Sequence, residues 1–407
     1  MNVHVNTVEA FLEALVAELE IPDSRYEQAE RSFKSFGAWL HRPESTLRHL
    51  DPVVYCQGSF RLGTAIRPHT EAEEYDVDSV CELRLLSKSQ CSQADLKRWL
   101  GIEVQAYHDA QNMTKPVREG NRCWILDYAD GAQFHMDIVA AVPNTEQQRR
   151  ILEERRLSAY WASTAISITD RRVQNYRVVT NDWPRSNPKG YSTWFASRQA
   201  AVFERRRRAI VESLKRQGVT ASVEEMPDFK VKTPLQAAIM ILKRHRDNMF
   251  ARDTDVRPIS VIITTLAAHA YENQDTISGA LFTILDRMDQ FIVFDGQKYV
   301  IANPTDALEN FADKWEKEPK KADAFFAWLR QARADFTAAA RAASFREMAD
   351  ALNPRMGYAL STRALDKLTG GSRLLRAATG ATAGVGATGA PTFANAARQP
   401  NKPQGYA

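Results

Sequence analysis

At 407 residues the chain is long enough for two or three domains with sizeable cores. With 44% hydrophobic and 26% charged residues it has an ordinary soluble composition, and a globular enzyme is the class to start from. No apolar run approaches the ~20 residues of a membrane-spanning helix, and the four cysteines lack CxxC spacing, so we expect a cytoplasmic protein with reduced, structural thiols and no membrane partner.

The N-terminal stretch "MNVHVNTVEAFLEALVAELEIP" has an amphipathic helical pattern with acidic residues, without the basic start and continuous apolar core of a signal peptide. Residues 5 to 50 read as helices. From about 53 to 142 apolar and polar residues alternate, in "PVVYCQGSF", "YDVDSVCELRLL" and "NRCWILDYADGAQFHMDIVAAVP", and Asp130-Gly131 predicts a hairpin turn between two strands. Beyond residue 195 the pattern is helical, through "TPLQAAIMILKRHRDNMF", "ISVIITTLAAHAYEN" and "ALENFADKWEKEPKKADAFFAWLRQARADF". From Gly370 the chain is rich in Gly, Ala, Thr and Pro, too poor in large apolar side chains to offset the entropy of ordering, and is expected to be a disordered tail. The reading is an α+β protein: N-terminal helices over 1–50, a β-rich module over 51–200, a helical domain over 201–369 and a flexible tail over 370–407.

The net charge of +4 is small, but basic residues bunch at Arg149-Arg150, Arg155-Arg156, Arg171-Arg172 and Arg205 to Arg208, and in "KRHRD" at 243 to 247. Such runs normally lie on solvated helix faces, and they also suit polyanionic ligands.

On a strand, residues two apart share a face, so Asp76 and Asp78 of "YDVDSV" project together. Carboxylates held that closely repel unless a cation lies between them, and hard oxygen donors suit Mg²⁺ or Mn²⁺. In "QFHMDIVAAVP", Phe134, Met136 and Ile138 line one face and Asp137 points to the other, within a run otherwise suited to burial. Three aspartates on neighbouring strands are the set that two-metal phosphoryl or nucleotidyl transfer requires. His135 shares the face of Asp137, but a lone histidine there reads as a packing or supporting residue. Upstream, "QGSFRLGT" supplies a turn at Gly58 and a hydroxyl and amide at Ser59, able to meet phosphate oxygens at the start of a short helix.

The compound pattern, GSxxxGT followed by Asp-x-Asp on a strand and a later strand aspartate, resembles the DNA polymerase β-like nucleotidyltransferase superfamily. Within it the chain is similar to the bacterial cGAS/DncV-like nucleotidyltransferases, or CD-NTases, which make cyclic oligonucleotide second messengers in anti-phage (CBASS) defence. The likeness covers roughly residues 5 to 365 and rests on "QGSFRLGT", "EYDVDSVCEL", "FHMDIV", "NPKGYSTWF", "TPLQAAIMILKRHRD", "RPISVIITTLAAHAY" and "NPTDALENFADKW".

The resemblance implies a polymerase-β-like sheet with a helical OAS/cGAS-like domain closing a cleft. It makes Asp76, Asp78 and Asp137 the ligands of two Mg²⁺ or Mn²⁺ ions, with Asp137 activating the acceptor hydroxyl. Gln57, Gly58 and Ser59 are expected to hold the donor triphosphate, helped by Lys243 and Ser260, with Arg244 and Arg246 as alternatives to the lysine. ATP and/or GTP are the implied substrates, a cyclic di- or trinucleotide and pyrophosphate the products, with no nucleic-acid template. A transferase acting on RNA or protein, and a non-catalytic nucleotide sensor, are the rival readings. The resemblance also implies a ubiquitin-like conjugation partner for the C-terminal tail.

Overall fold

The computed structural model describes residues 2–69, 74–128, 134–217 and 228–379. Two helices lead in, α1 (Asn2–Leu19) and α2 (Asp23–Leu40), followed by β1 (Pro52–Cys56), a short α3 (Gly58–Leu62) and β2 (Tyr75–Leu83). Next come α4 (Gln93–Ala110), β3 (Arg118–Glu119), β4 (Cys123–Tyr128) and β5 (Phe134–Pro143), then α5 (Thr145–Glu154), β6 (Ile166–Ile168) and β7 (Arg185–Ser186). The sheet runs β1-β2-β5-β4-β3, with β6 pairing the end of β5 and β7 pairing β6.

Strands β4 and β5 pair antiparallel, with Tyr128 opposite Phe134, as a hairpin requires; the Asp130-Gly131 turn itself lies outside the described residues. Strands β2 and β5 run parallel, because α4 carries the chain back across the sheet. Helix α4 starts on a capping box, in which the Ser92 side chain accepts from the Asp95 amide and the Asp95 side chain from the Ser92 amide.

Alternation sorts the sheet into two faces. Cys81, Leu83, Met136, Ile138, Ala140 and Val142 pack with Phe36 and Leu40 of α2 and with Leu96, Leu100 and Val104 of α4. Val80, Val139 and Ala141 point the other way, against Ile166 and Ile168. Asp76, Asp78 and Asp137 share this second face by strand alternation.

The helical part comprises α6 (Pro188–Arg216), α7 (Pro234–Met249), α8 (Ser260–Ala270), α9 (Ile277–Arg287), then hairpins β8 (Val293–Phe294)/β9 (Tyr299–Val300) and β10 (Ala302–Asn303)/β11 (Asp306–Asn310), and finally α10 (Asp313–Lys317), α11 (Pro319–Arg341), α12 (Phe345–Met356) and α13 (Tyr358–Thr379). Its core gathers Leu235, Ile239 and Leu242 of α7, Ile263 and Leu266 of α8, and Phe325 and Trp328 of α11 around Phe11, Leu15 and Leu19 of α1.

Four expectations change. The lead-in helix α1 belongs to the helical core rather than standing apart. Helix α6 crosses the expected boundary at 200/201 unbroken, capped by Asn187, whose side chain accepts from the Gly190 amide. The start of "ALENFADKW", read as helical, is strand β11, because Ala302 and Asn303 offer it a ladder partner. Helix α13 runs to Thr379, past the expected start of the tail at 370, and residues 380–407 lie outside the described residues. Among the described residues no helix is long and apolar enough to cross a membrane.

Candidate active site

Strand β2 ends its acidic run where α3 begins. The Gln57 amide donates to the Asp78 carbonyl oxygen at 2.8 Å, which ties the turn to the strand. Gly58 follows with φ +63°, and a Cβ there would lie 2.1 Å from Asp78 Oδ2. Only glycine brings the turn this close to the carboxylate.

Across the parallel pair, Asp76 stands opposite His135 and Asp78 opposite Asp137. His135 Nε2 lies 3.5 Å from Asp76 Oδ1 and 3.7 Å from Asp137 Oδ1, and the ligand atoms of Asp76, His135 and Asp137 all fall within 4.8 Å of one another. The imidazole thus sits inside the acidic cluster, a position that the alternation of β5 allowed but did not single out. Glu74 and Asp127 approach the same ring from the other side, but they are engaged by Lys115 and Arg118.

The electrostatics are those of carboxylates short of a counter-charge. Burial, then the Asp137 charge, raises the Asp76 carboxyl above its ordinary range; burial, then the charges of Asp76 and Asp137, raises Asp78. Asp137 Oδ2 accepts from the Cys123 thiol at 3.3 Å, while Oδ1 is buried with no hydrogen-bond partner. A hard divalent cation answers both features: it neutralises the repulsion and occupies the orphaned oxygen. The residues present therefore fit such an ion.

The cluster opens on a cleft of about 920 Å³ lined by Gly58, Ser59, Asp76 and Asp78 from the sheet side and Lys243 and Ser260 from the helical side. Lys243 is buried and donates to the Thr64 carbonyl oxygen at 2.9 Å; burial, then the Arg246 charge, pulls its ammonium down to about 8. Arg246 donates to Ser260 Oγ at 2.9 Å and to the Pro258 carbonyl oxygen at 2.8 Å, so the serine enters the cleft already positioned. Arg244, which also lines the cleft, is engaged with His69 and with the Arg67 carbonyl oxygen.

Of the residues expected from sequence, Gly58, Ser59, Asp76, Asp78, Lys243 and Ser260 meet in one cleft, and Asp137 joins through the strand register. Gln57 is not among the lining residues, and its amide is committed to Asp78.

Residues 52–140, which span β1 to β5, match the family described as "Cyclic GMP-AMP synthase DncV-like, nucleotidyltransferase domain". Residues 52–140 carry a DncV-like nucleotidyltransferase domain. Among its relatives, a c-di-GMP synthase of Roseivirga ehrenbergii is 26% identical over 312 residues, 76% of this chain and 73% of the relative. The cyclic dinucleotide synthase CdnG of Bradyrhizobium diazoefficiens is 24% identical over 323 residues, 76% of this chain and 70% of that protein. A structure of that CdnG in complex with GTP superposes with a TM-score of 0.66 at 20% identity, covering 89% of this chain and 99% of the other, which establishes the shared fold. The DncV-like domain holds Asp76, Asp78 and Asp137, whereas Lys243 and Ser260 come from the helical part beyond it.

Proposed function

We propose that the chain is a metal-dependent cyclic dinucleotide synthase that joins nucleoside triphosphates, GTP among them, with release of pyrophosphate. The observation that carries this reading is the register that sets Asp78 beside Asp137, one step from Asp76, at the base of a cleft whose other wall brings Lys243 and Ser260. The two named relatives make cyclic dinucleotides, and one of them binds GTP in its structure, which supports the choice of product and substrate.

Asp76, Asp78 and Asp137 would hold two Mg²⁺ or Mn²⁺ ions. Such ions neutralise phosphate charge and acidify a nearby hydroxyl. Ser59, Lys243 and Ser260 grip the donor triphosphate, and Arg246 fixes the serine. Asp137 takes the proton as the acceptor ribose oxygen attacks the donor's α-phosphorus. The new P–O bond forms as the bond to the β-phosphate oxygen breaks, and pyrophosphate leaves. A second passage through the same site, with the linear intermediate turned around, closes the ring and releases the second pyrophosphate. The family resemblance extends the reading to a cytoplasmic anti-phage role and to a ubiquitin-like conjugation enzyme that modifies the tail, which intact-mass analysis of tail-truncated protein from cells tests.

Incubating the purified protein with mixed NTPs and Mg²⁺ and identifying products by mass spectrometry tests the central claim. A cyclic dinucleotide formed without acceptor polymer is the expected result. Product that appears only when RNA or protein is added would overturn it.

A further inference from the structure

At the outer wall of the same cleft, β10 and β11 bring together two side chains that nucleotidyl transfer itself does not use. Asn303 is buried, and both of its side-chain polar atoms are engaged: its Oδ1 accepts from the Thr305 amide and hydroxyl, both at 2.9 Å, and its Nδ2 donates to Glu309 Oε2 at 2.6 Å. Glu309 is half-buried and lines the cleft, and among the described residues no hydrogen bond reaches its Oε1. Of the two arginines whose charges act on it, Arg185 is paired at 3.6 Å with the neighbouring Asp306 and Arg122 at 2.7 Å with Asp170. Glu309 is therefore an acceptor held in one orientation by Asn303, without a counter-ion of its own.

Two aromatic side chains line the cleft with it. Tyr191 is held by a 2.8 Å hydrogen bond between its hydroxyl and Thr265, and its ring stands nearly edge-on to Phe311, with centroids 6.2 Å apart. Planar bases stack on such rings with little sequence preference, so these rings supply affinity, while the carboxylate supplies choice.

We infer that Glu309, held by Asn303, selects guanine over adenine in the cleft, its carboxylate accepting from the N1–H and 2-amino groups of the base. An ionised carboxylate only accepts. Guanine offers two donors side by side on that edge, whereas adenine turns a lone pair at N1 toward it and lacks the 2-amino group. A site that hydrogen-bonds a substrate group discriminates steeply against an analogue lacking it, because the buried partner is then left unpaired. This assignment rests on the synthase reading and adds to it the base that the cleft prefers.

The test is equilibrium binding of GTP, ITP and ATP to the full chain with Mg²⁺, alongside turnover, for wild type, E309Q and N303A. ITP lacks only the 2-amino group. Wild type should bind GTP about tenfold or more tighter than ITP, the effect of one hydrogen bond to a charged acceptor. E309Q, of the same shape but with one donor and one acceptor, should lose that difference and move its preference toward ATP. N303A, which frees the carboxylate, should weaken GTP more than ATP. Equal weakening of all three nucleotides by E309Q, or a wild-type preference for ATP, would overturn the assignment. Selective GTP binding without turnover would leave it standing and instead count against the synthase reading.

Discussion

Asp78 Oδ2 occupies the space that a side chain on Gly58 would fill, 2.1 Å from where its Cβ would lie. The α3 turn and the acidic strand are thus fitted to each other with no room for even a methyl group. Gly58→Ala should lose about 1–2 kcal/mol from the left-handed backbone alone, and the clash adds to that by pushing Asp78 off its position. Thermal unfolding and NTP turnover together check this: we expect a lower Tm with turnover falling far more than the stability loss explains, and unchanged turnover would show that the close fit is irrelevant.

The double variant Asp76→Asn/Asp78→Asn should yield no detectable product while keeping its fold. Its Tm should equal or exceed wild type in metal-free buffer, because burial and mutual repulsion already oppose both charges. Asp137→Asn should keep NTP affinity within a few-fold and lose about two to four orders of magnitude in rate, the usual worth of a general base. Normal rates in either variant would remove the acidic cluster from the chemistry.

Lys243 gives a pH dependence to nucleotide affinity. Its folded-state pKa of about 8 is lowered from the ordinary lysine value by burial. Phosphate binds the charged form, so NTP affinity should be flat below that pH and fall as pH rises through it. Lys243→Ala should weaken binding by about 1–3 kcal/mol, the worth of a charge-assisted hydrogen bond, and abolish the decline. Titrations with a non-hydrolysable NTP between pH 6.5 and 9.5 measure both effects, and an identical pH profile in the variant would assign the decline to another group.

Away from the cleft, Asp170 receives hydrogen bonds from Arg122 at 2.7 Å and from Arg172 at 2.6 and 2.9 Å. Burial alone would raise its carboxyl, but these bonds, first from Arg172 and then from Arg122, outweigh it and hold the group well below the ordinary 3.8. A lowered folded-state pKa contributes stability that is complete above the unfolded value and is lost as pH falls through the folded one. Asp170→Asn should therefore cost about 1.5–3 kcal/mol at neutral pH, with the gap to wild type closing below pH 4. Denaturant melts at pH 7 and pH 3 give the comparison, and an equal gap at both would mean that the charge contributes nothing.

Part of the candidate site's floor was legible in sequence because it depends on strand alternation: Asp76 and Asp78 share a face of β2 whatever packs around them, and Asp137 points away from Phe134, Met136 and Ile138 on its own strand. The turn at Gly58 was legible for the same local reason. Features that depend on pairing between distant elements were not. Nothing in "FHMDIV" says that β5 will lie parallel to β2 and set His135 opposite Asp76, since that follows from the crossover through α4. The strand character of β11 depends on Ala302 and Asn303, and Glu309 draws its orientation from that hairpin rather than from any motif. The commitment of the Gln57 amide to Asp78 likewise appears only once the turn and the strand meet.

The run from the last residue of α3 to Arg67 is fastened by its carbonyl oxygens to α7 and to Lys232 just before it. Gln236 Nε2 donates to Leu62 at 2.9 Å, Lys232 to Gly63 at 2.8 Å, Lys243 to Thr64 at 2.9 Å, and Arg244 to Arg67. Backbone acceptors on one side and side-chain donors on the other run like a zipper along the root of the cleft. The two walls are therefore joined at their base over about two turns of α7, and they cannot swing apart there without breaking several bonds at once. Any movement that widens the cleft leaves this root in place and is confined to the mouth.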